Sequence, residues 1–231
     1  MTYLPLKFVP AMLVTSLLAG CATPSTQLDT TRGTVSTTGV VVTPSTPTQP
    51  VARVPAPPTP SPEETEGAAS ERSGAIGKVA PDFTLPDASE RPTSLSNFAD
   101  QWVVLYFYPS DDTPGCTCQA TEFTELLQQF DAMNAKIVGI SPDSPATHAF
   151  FMRKYGLNFP LLSDQSRKVM TLYGAWLEMK EGPAAPGRVL RSTYLIDPKG
   201  KIAWHWPEVI PQGHAARIRT KLQELSSAAK Q

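Results

Sequence analysis

Cys116 is the residue whose surroundings point most directly to chemistry. It follows the turn Pro109-Ser-Asp-Asp-Thr113-Pro-Gly115, with Cys118 two positions on; Cys21 completes the set of three cysteines in 231 residues. A cysteine in the first turn of a helix is placed for nucleophilic work. The free backbone N–H groups and the dipole of a helix start favour an anion, and the thiolate, not the thiol, is the nucleophile. Thr113, three residues earlier, can turn its hydroxyl toward that sulfur, and Gly115 presents no side chain to block a small substrate. A buried structural cysteine is the bland reading, and the Thr-Pro-Gly approach argues against it.

The flanking pattern supplies the elements that such a site needs. Trp102 to Tyr108 is a continuous apolar run rich in β-branched and aromatic residues, which predicts a strand buried on both faces. Pro109 ends it. Phe123, Leu126, Leu127 and Phe130 then recur at helical spacing, predicting a helix from Cys116 to Met133. Further on, the pattern predicts a strand over Lys136 to Ser141, a helix over Pro145 to Tyr155, a short strand over Phe159 to Ser163 and a helix capped by Asp164 that runs to Tyr173. Ser192 to Asp197 and Lys201 to His205 read as a hairpin around Pro198-Lys-Gly200, and Gly213 to Ser226 as a closing helix. Alternation of this kind implies an α/β sheet with parallel pairing. Gly182-Pro183 and Pro186-Gly187 mark residues 176 to 189 as a mobile loop.

Pro109-x-x-x-Thr113-x-x-Cys116 matches the active-site pattern of the peroxiredoxins, and Tyr106-Phe-Tyr-Pro109 with Thr113-Pro-Gly-Cys-Thr117 resembles the bacterioferritin-comigratory, or Q-type, subfamily. Pro81-Asp-Phe-Thr-Leu-Pro86, Gly139-Ile-Ser-Pro-Asp143, Phe159-Pro-Leu-Leu-Ser-Asp164, Arg191-Ser-Thr-Tyr-Leu-Ile-Asp197 and Gly213-His214 fall in the same order, so the resemblance runs from about Gly77 to Leu225. It implies a thioredoxin-like α/β fold with a central mixed sheet flanked by helices, no cofactor, and thiol-dependent reduction of hydrogen peroxide or alkyl hydroperoxides. By position, Cys116 corresponds to the peroxidatic cysteine, Thr113 to the hydroxyl that orients the peroxide, Pro109 to the residue shielding the pocket and Arg191 to the cation beside the sulfur. Arg188 is a nearby rival for that last role. An arginine there would favour the thiolate and stabilise charge on the leaving oxygen, leaving sulfenic acid on Cys116. The implied partners are a peroxide and a thiol reductant, and a monomer fits the resemblance.

The sequence departs from the subfamily pattern where a resolving cysteine often stands, five residues after the peroxidatic one, because that position is Thr121. Cys118 is the candidate replacement. Two residues apart on a helix, the side chains of Cys116 and Cys118 point about 200° from each other, so a bond between them requires the first turn to unwind. Such a bond, an external thiol and an intermolecular disulfide all stay open.

Residues 1–20 place Lys7 before an apolar core that is short for a membrane span and shaped like a secretory signal. Leu18-Ala-Gly-Cys21 resembles a bacterial lipobox, with Cys21 as the lipidated residue, and Ala22 in the next position points to the outer membrane, facing the periplasm. Residues 21–74 follow as a Thr/Pro/Ser-rich segment without Phe, Trp or Tyr, which cannot bury a core. A tether of this length spans about 40 Å as a flexible coil and well over about 100 Å when stretched, so the expectation is a domain held off a bilayer by a lipid anchor. Residues 75–231 form one domain.

Composition narrows the function classes. Residues 75–231 carry sixteen Lys or Arg and sixteen Asp or Glu, so no basic field invites nucleic acid. His148, His205 and His214 lie on separate elements without metal-ligand spacing from the Cys-x-Cys pair, so no metal is expected, and His148 and His205 read as surface or helix-end residues. A thiol-disulfide oxidoreductase would want Cys-x-x-Cys, one residue more than the observed spacing. A non-enzymatic lipoprotein on the same fold is the third class, and the retained Pro109, Thr113, Cys116 and Arg191 argue against both rivals.

Overall fold

In the computed structural model, residues 74–182 and 186–228 are described, and the expected signal, Cys21 and nearly all of the tether lie outside them. The sheet has five strands in the order β5-β4-β3-β8-β9. Its centre is β3 (Trp102–Phe107), every residue of which is buried. β3 pairs in parallel with β4 (Ala135–Ser141), and β4 in parallel with β5 (Leu161–Ser163). On the other side β3 pairs antiparallel with β8 (Ser192–Ile196), which forms the predicted hairpin with β9 (Ile202–Trp206). The sheet is therefore mixed, as the resemblance implied. The helix-connected strands pair in parallel, whereas the short turn between β8 and β9 permits only antiparallel pairing of those two.

Alternate residues of β3 feed two cores, as a period of two requires. Val104 and Tyr106 join Phe123, Phe130, Phe151, Ile218 and Leu222 on one face, while Val103, Leu105 and Phe107 join Phe83, Met170, Tyr173 and Ile202 on the other. The first face is covered by α1 (Pro114–Ala132), α2 (Pro145–Tyr155) and α4 (His214–Ala228). The second carries α3 (Lys168–Leu172) and the N-terminal hairpin of β1 (Thr84–Pro86) with β2 (Pro92–Ser94), which the apolar pattern did not reveal. Each large side chain so buried contributes about 1.5–3 kcal/mol. No helix of the described residues is long and apolar enough to cross a membrane.

Local signals set the helix bounds near the site. Ser144 caps α2 by accepting the Thr147 N–H at 3.2 Å, Pro145 occupies the first turn, and Gly156 ends the helix at φ +65°. α3 is shorter than expected. Asp164 is no N-cap; its carboxylate accepts the Met170 N–H at 2.8 Å from inside the turn, and Arg167 at φ +61° starts the helix. The ends of the expected loop at residues 176–189 carry pairing that the sequence did not reveal. They pair as β6 (Trp176–Glu178) and β7 (Gly187–Val189), with the Arg167 guanidinium 4.9 Å from the Trp176 ring centre.

Two histidines expected at the surface are buried. His148 is fully enclosed, and His205 stacks on Tyr194 at 3.9 Å between ring centres. Burial pulls His205 down from 6.5 to about 4 and sends His214 the same way, the latter helped by the Arg217 and Arg191 charges. Between these values the unfolded chain binds a proton at His205 that the native chain refuses, so stability falls as pH drops from 6.5 to about 4 and this contribution levels off below. The slope is up to about 1.4 kcal/mol per pH unit for one such group. His205→Phe, which keeps a ring against Tyr194, is expected to flatten the decline of the urea midpoint across that window. An unchanged slope would show that His205 titrates alike in both states.

Candidate active site

β3 exits into Tyr108 and Pro109, and the loop through Thr113 delivers the chain to α1. Thr113 is the N-cap and Pro114 opens the helix, which puts Cys116 at its third position. The Thr117 N–H is bonded to the Thr113 carbonyl. The N–H groups of Gly115 and Cys116 come before the first residue whose N–H can close a helical bond. Cys116 is a free cysteine and only 2% exposed.

The antiparallel register brings the cation to this point. Phe107 pairs with Ser192, so Arg191 enters β8 at the end where β3 leaves the sheet. Its Nη2 donates to Cys116 Sγ at 3.1 Å and its Nη1 to Gln119 Oε1 at 2.6 Å. Gln119 lies three residues after Cys116, hence on the same helical face, and is itself fully buried. A charged donor of fixed planar geometry therefore sits on the sulfur, with one arm locked by a buried amide. The guanidinium is thus placed to meet negative charge at this sulfur or at an oxygen bound to it. Arg188, the rival, is exposed on β7, away from this contact. A Cβ added at Gly115 would stand 3.4 Å from Pro211 Cγ and 3.6 Å from Arg191 Nη2, so the glycine keeps clear the space between that proline and the guanidinium.

Other expected site residues are placed differently. Thr113 is half-buried, and its hydroxyl donates to the Ser110 carbonyl at 3.1 Å, which leaves its oxygen lone pairs for a donor. Pro109 is exposed at the mouth of the loop. Cys118 Sγ lies 3.7 Å from Glu122 Oε1, a carboxylate oxygen that also accepts the Gly213 N–H at 2.8 Å. Cys116 is free, so no bond joins it to Cys118.

Below the loop lies a buried polar network that sequence reasoning missed. Tyr108 donates its hydroxyl to Asp111 Oδ1 at 2.7 Å, and His148 Nδ1 lies 2.8 Å from Asp111 Oδ2. The Asp111 N–H and the Ser110 hydroxyl donate to the Asp143 carboxylate at 2.8 and 3.3 Å. Tyr106 and Tyr108 stack at 5.2 Å, and burial, with the charges of Asp111 and other neighbours, holds both phenols well above 10. They stay neutral. The signal for this network was the excess of carboxylates in Ser110-Asp-Asp-Thr113, though not their partners on a distant helix.

Residues 76–205 match the model of the AhpC/TSA family. The peroxiredoxin Bcp of Bacillus subtilis is 36% identical over 151 residues, covering 65% of this chain and 96% of that protein. Among solved structures, a cysteine-to-serine mutant of PrxQ from Xylella fastidiosa superposes with a TM-score of 0.62 at 34% identity, covering 65% of this chain and 96% of its own. The bacterioferritin comigratory protein of Xanthomonas campestris, whose structures concern alkyl peroxide reduction, gives 0.60 at 34% identity, with 62% and 92% covered.

Removing the cation should separate its role from that of its rival. Arg191→Met is expected to lower the second-order rate constant for peroxide by about 10²-fold, the scale of losing one charge-stabilising donor, while Arg188→Met leaves it within about twofold. Stopped-flow measurement of peroxide consumption under excess thiol compares them. Equal losses would remove Arg191 from its assigned place.

Proposed function

Because the chain belongs to the AhpC/TSA family, we propose that its peroxide reduction runs at Cys116 with Arg191 as the activating cation, on a domain tethered in the cell envelope. The chain is a thiol-dependent peroxidase of the Bcp/PrxQ peroxiredoxins. The observation that carries the residue assignment is the 3.1 Å contact between Arg191 Nη2 and Cys116 Sγ at the start of α1.

The chemistry follows from that contact. The Cys116 thiolate attacks the terminal oxygen of ROOH; an S–O bond forms as the O–O bond breaks. The leaving RO⁻ takes a proton and departs as water or an alcohol, with sulfenic acid left on Cys116. Two donor sets meet the developing charge, the Arg191 fork and the N–H groups of the first turn. Thr113, with its proton committed to Ser110, is oriented to accept the hydroperoxide O–H.

For the return step the reading is an external thiol. Its sulfur attacks the sulfenic sulfur, hydroxide leaves as water, and a second thiol releases Cys116 from the mixed disulfide. Two facts support this route over a Cys116–Cys118 bond: Thr121 occupies the fifth position after Cys116, and α1 is helical from Pro114 onward, which turns the two cysteines apart. The envelope assignment rests on residues 1–20, the lipobox-like Leu18-Ala-Gly-Cys21 and the aromatic-free tether to residue 74.

Two measurements test these points. Cys116→Ser is expected to abolish thiol-supported peroxide loss, while Cys118→Ser retains multiple turnover; loss of turnover in the second variant would give the return step to Cys118. Intact mass of protein expressed with its leader is expected to show cleavage before Cys21 and added diacylglyceryl mass. An unprocessed or unlipidated chain would overturn the envelope reading.

A further inference from the structure

Asp112 sits four residues before Cys116 in the left-handed region, at φ +57°, a conformation Asp enters more readily than most residues and one that turns the chain sharply just before α1. The groups that hold it there come from the last turn of α2. Lys154 Nζ donates to both oxygens of the Asp112 carboxylate, at 2.8 and 2.6 Å, and the Tyr155 hydroxyl donates to Oδ1 at 2.6 Å. An exposed ion pair alone is weak, yet here three bonds converge on one carboxylate. Lys154 first, then Tyr155, holds that carboxyl below its usual range. The neighbouring residue is pinned to the same helix through Asp111 and His148. Thr113, the N-cap that fixes the direction of α1, follows directly.

We propose that Lys154 and Tyr155 are positioning residues for Cys116: by fixing Asp112 they hold the first turn of α1 over Arg191, and so govern how the oxidised sulfur divides between a second peroxide and a thiol. The second branch is required by burial. At 2% exposure Cys116 leaves no room for an attacking thiol of any size beside Arg191 unless the first turn moves. The first branch uses the same pocket, because a second peroxide needs the same donors as the first; it oxidises the sulfenate to sulfinate with release of another water or alcohol. Loosening the Asp112 anchor therefore slows both peroxide steps and speeds the thiol step. The inference rests on Cys116 being the reacting sulfur.

The test uses the full chain carrying Lys154→Met with Tyr155→Phe, alongside Lys154→Arg and Asp112→Gly; the glycine removes the carboxylate while accepting the same φ. Single-turnover oxidation, reduction of the sulfenate by a small thiol and sulfinate formed per turnover are followed by quenched-flow mass spectrometry, with thermal midpoints measured in parallel. The double variant is expected to oxidise about tenfold more slowly, to form at least about threefold less sulfinate per turnover and to react faster with thiol, with Lys154→Arg restoring most of each change. Asp112→Gly is expected to follow the double variant. Unchanged rates would overturn the proposal, as would a loss in all three steps that tracks the thermal midpoint and is not restored by arginine. Wild-type protein that consumes no peroxide would instead overturn the functional reading itself.

Discussion

The antiparallel pairing of β3 with β8 is the constraint on which the site depends. Cys116 and Arg191 are 75 residues apart in the chain, yet they meet because Phe107 faces Ser192 across the sheet. A slip of one residue would turn every side chain of β8 to the other face. It would bury polar groups in one core and withdraw the guanidinium from the sulfur. The register is held by burial of every residue in both strands. The apolar core and the meeting of Cys116 with Arg191 therefore share one structural cause.

Around that pairing the molecule divides its labour between α1 and α2. α1 supplies the sulfur, the unpaired N–H groups and, through Gln119, the brace on Arg191. α2 contributes nothing to the reacting atoms. His148, Lys154 and Tyr155 instead gather the two carboxylates of the loop between β3 and α1, one pair buried and one at the surface. The buried contact of Asp111 with His148 satisfies polar atoms that would be costly to leave without partners, whereas the Asp112 contacts lie at the surface, where three bonds rather than one ion pair hold the carboxylate.

Much of the fold was legible because its signals are local. The bounds of α2 were readable from Ser144, Pro145 and Gly156, and the centre of the sheet from the apolar run at Trp102. The 176–189 segment was legible only in part because its glycines and prolines announce turns without revealing that Trp176 and Val189 pair beyond them. His148 and His205 were misplaced for a related reason. A histidine in an amphipathic pattern reads as a surface residue unless its partner is known, and the partners, Asp111 and Tyr194, come from other elements.

By itself the sequence determined the cysteine at a helix start, the strand behind it and the family pattern that points to Arg191, because each is written in neighbouring residues and backbone preference. Tertiary structure alone decided between Arg191 and Arg188, committed the Thr113 proton to Ser110, added Gln119 to the site and joined Asp112 to Lys154 and Tyr155. These contacts link residues tens of positions apart, or turn on where one hydroxyl points. Strand register and helix docking settle them, and no local pattern along the chain encodes either.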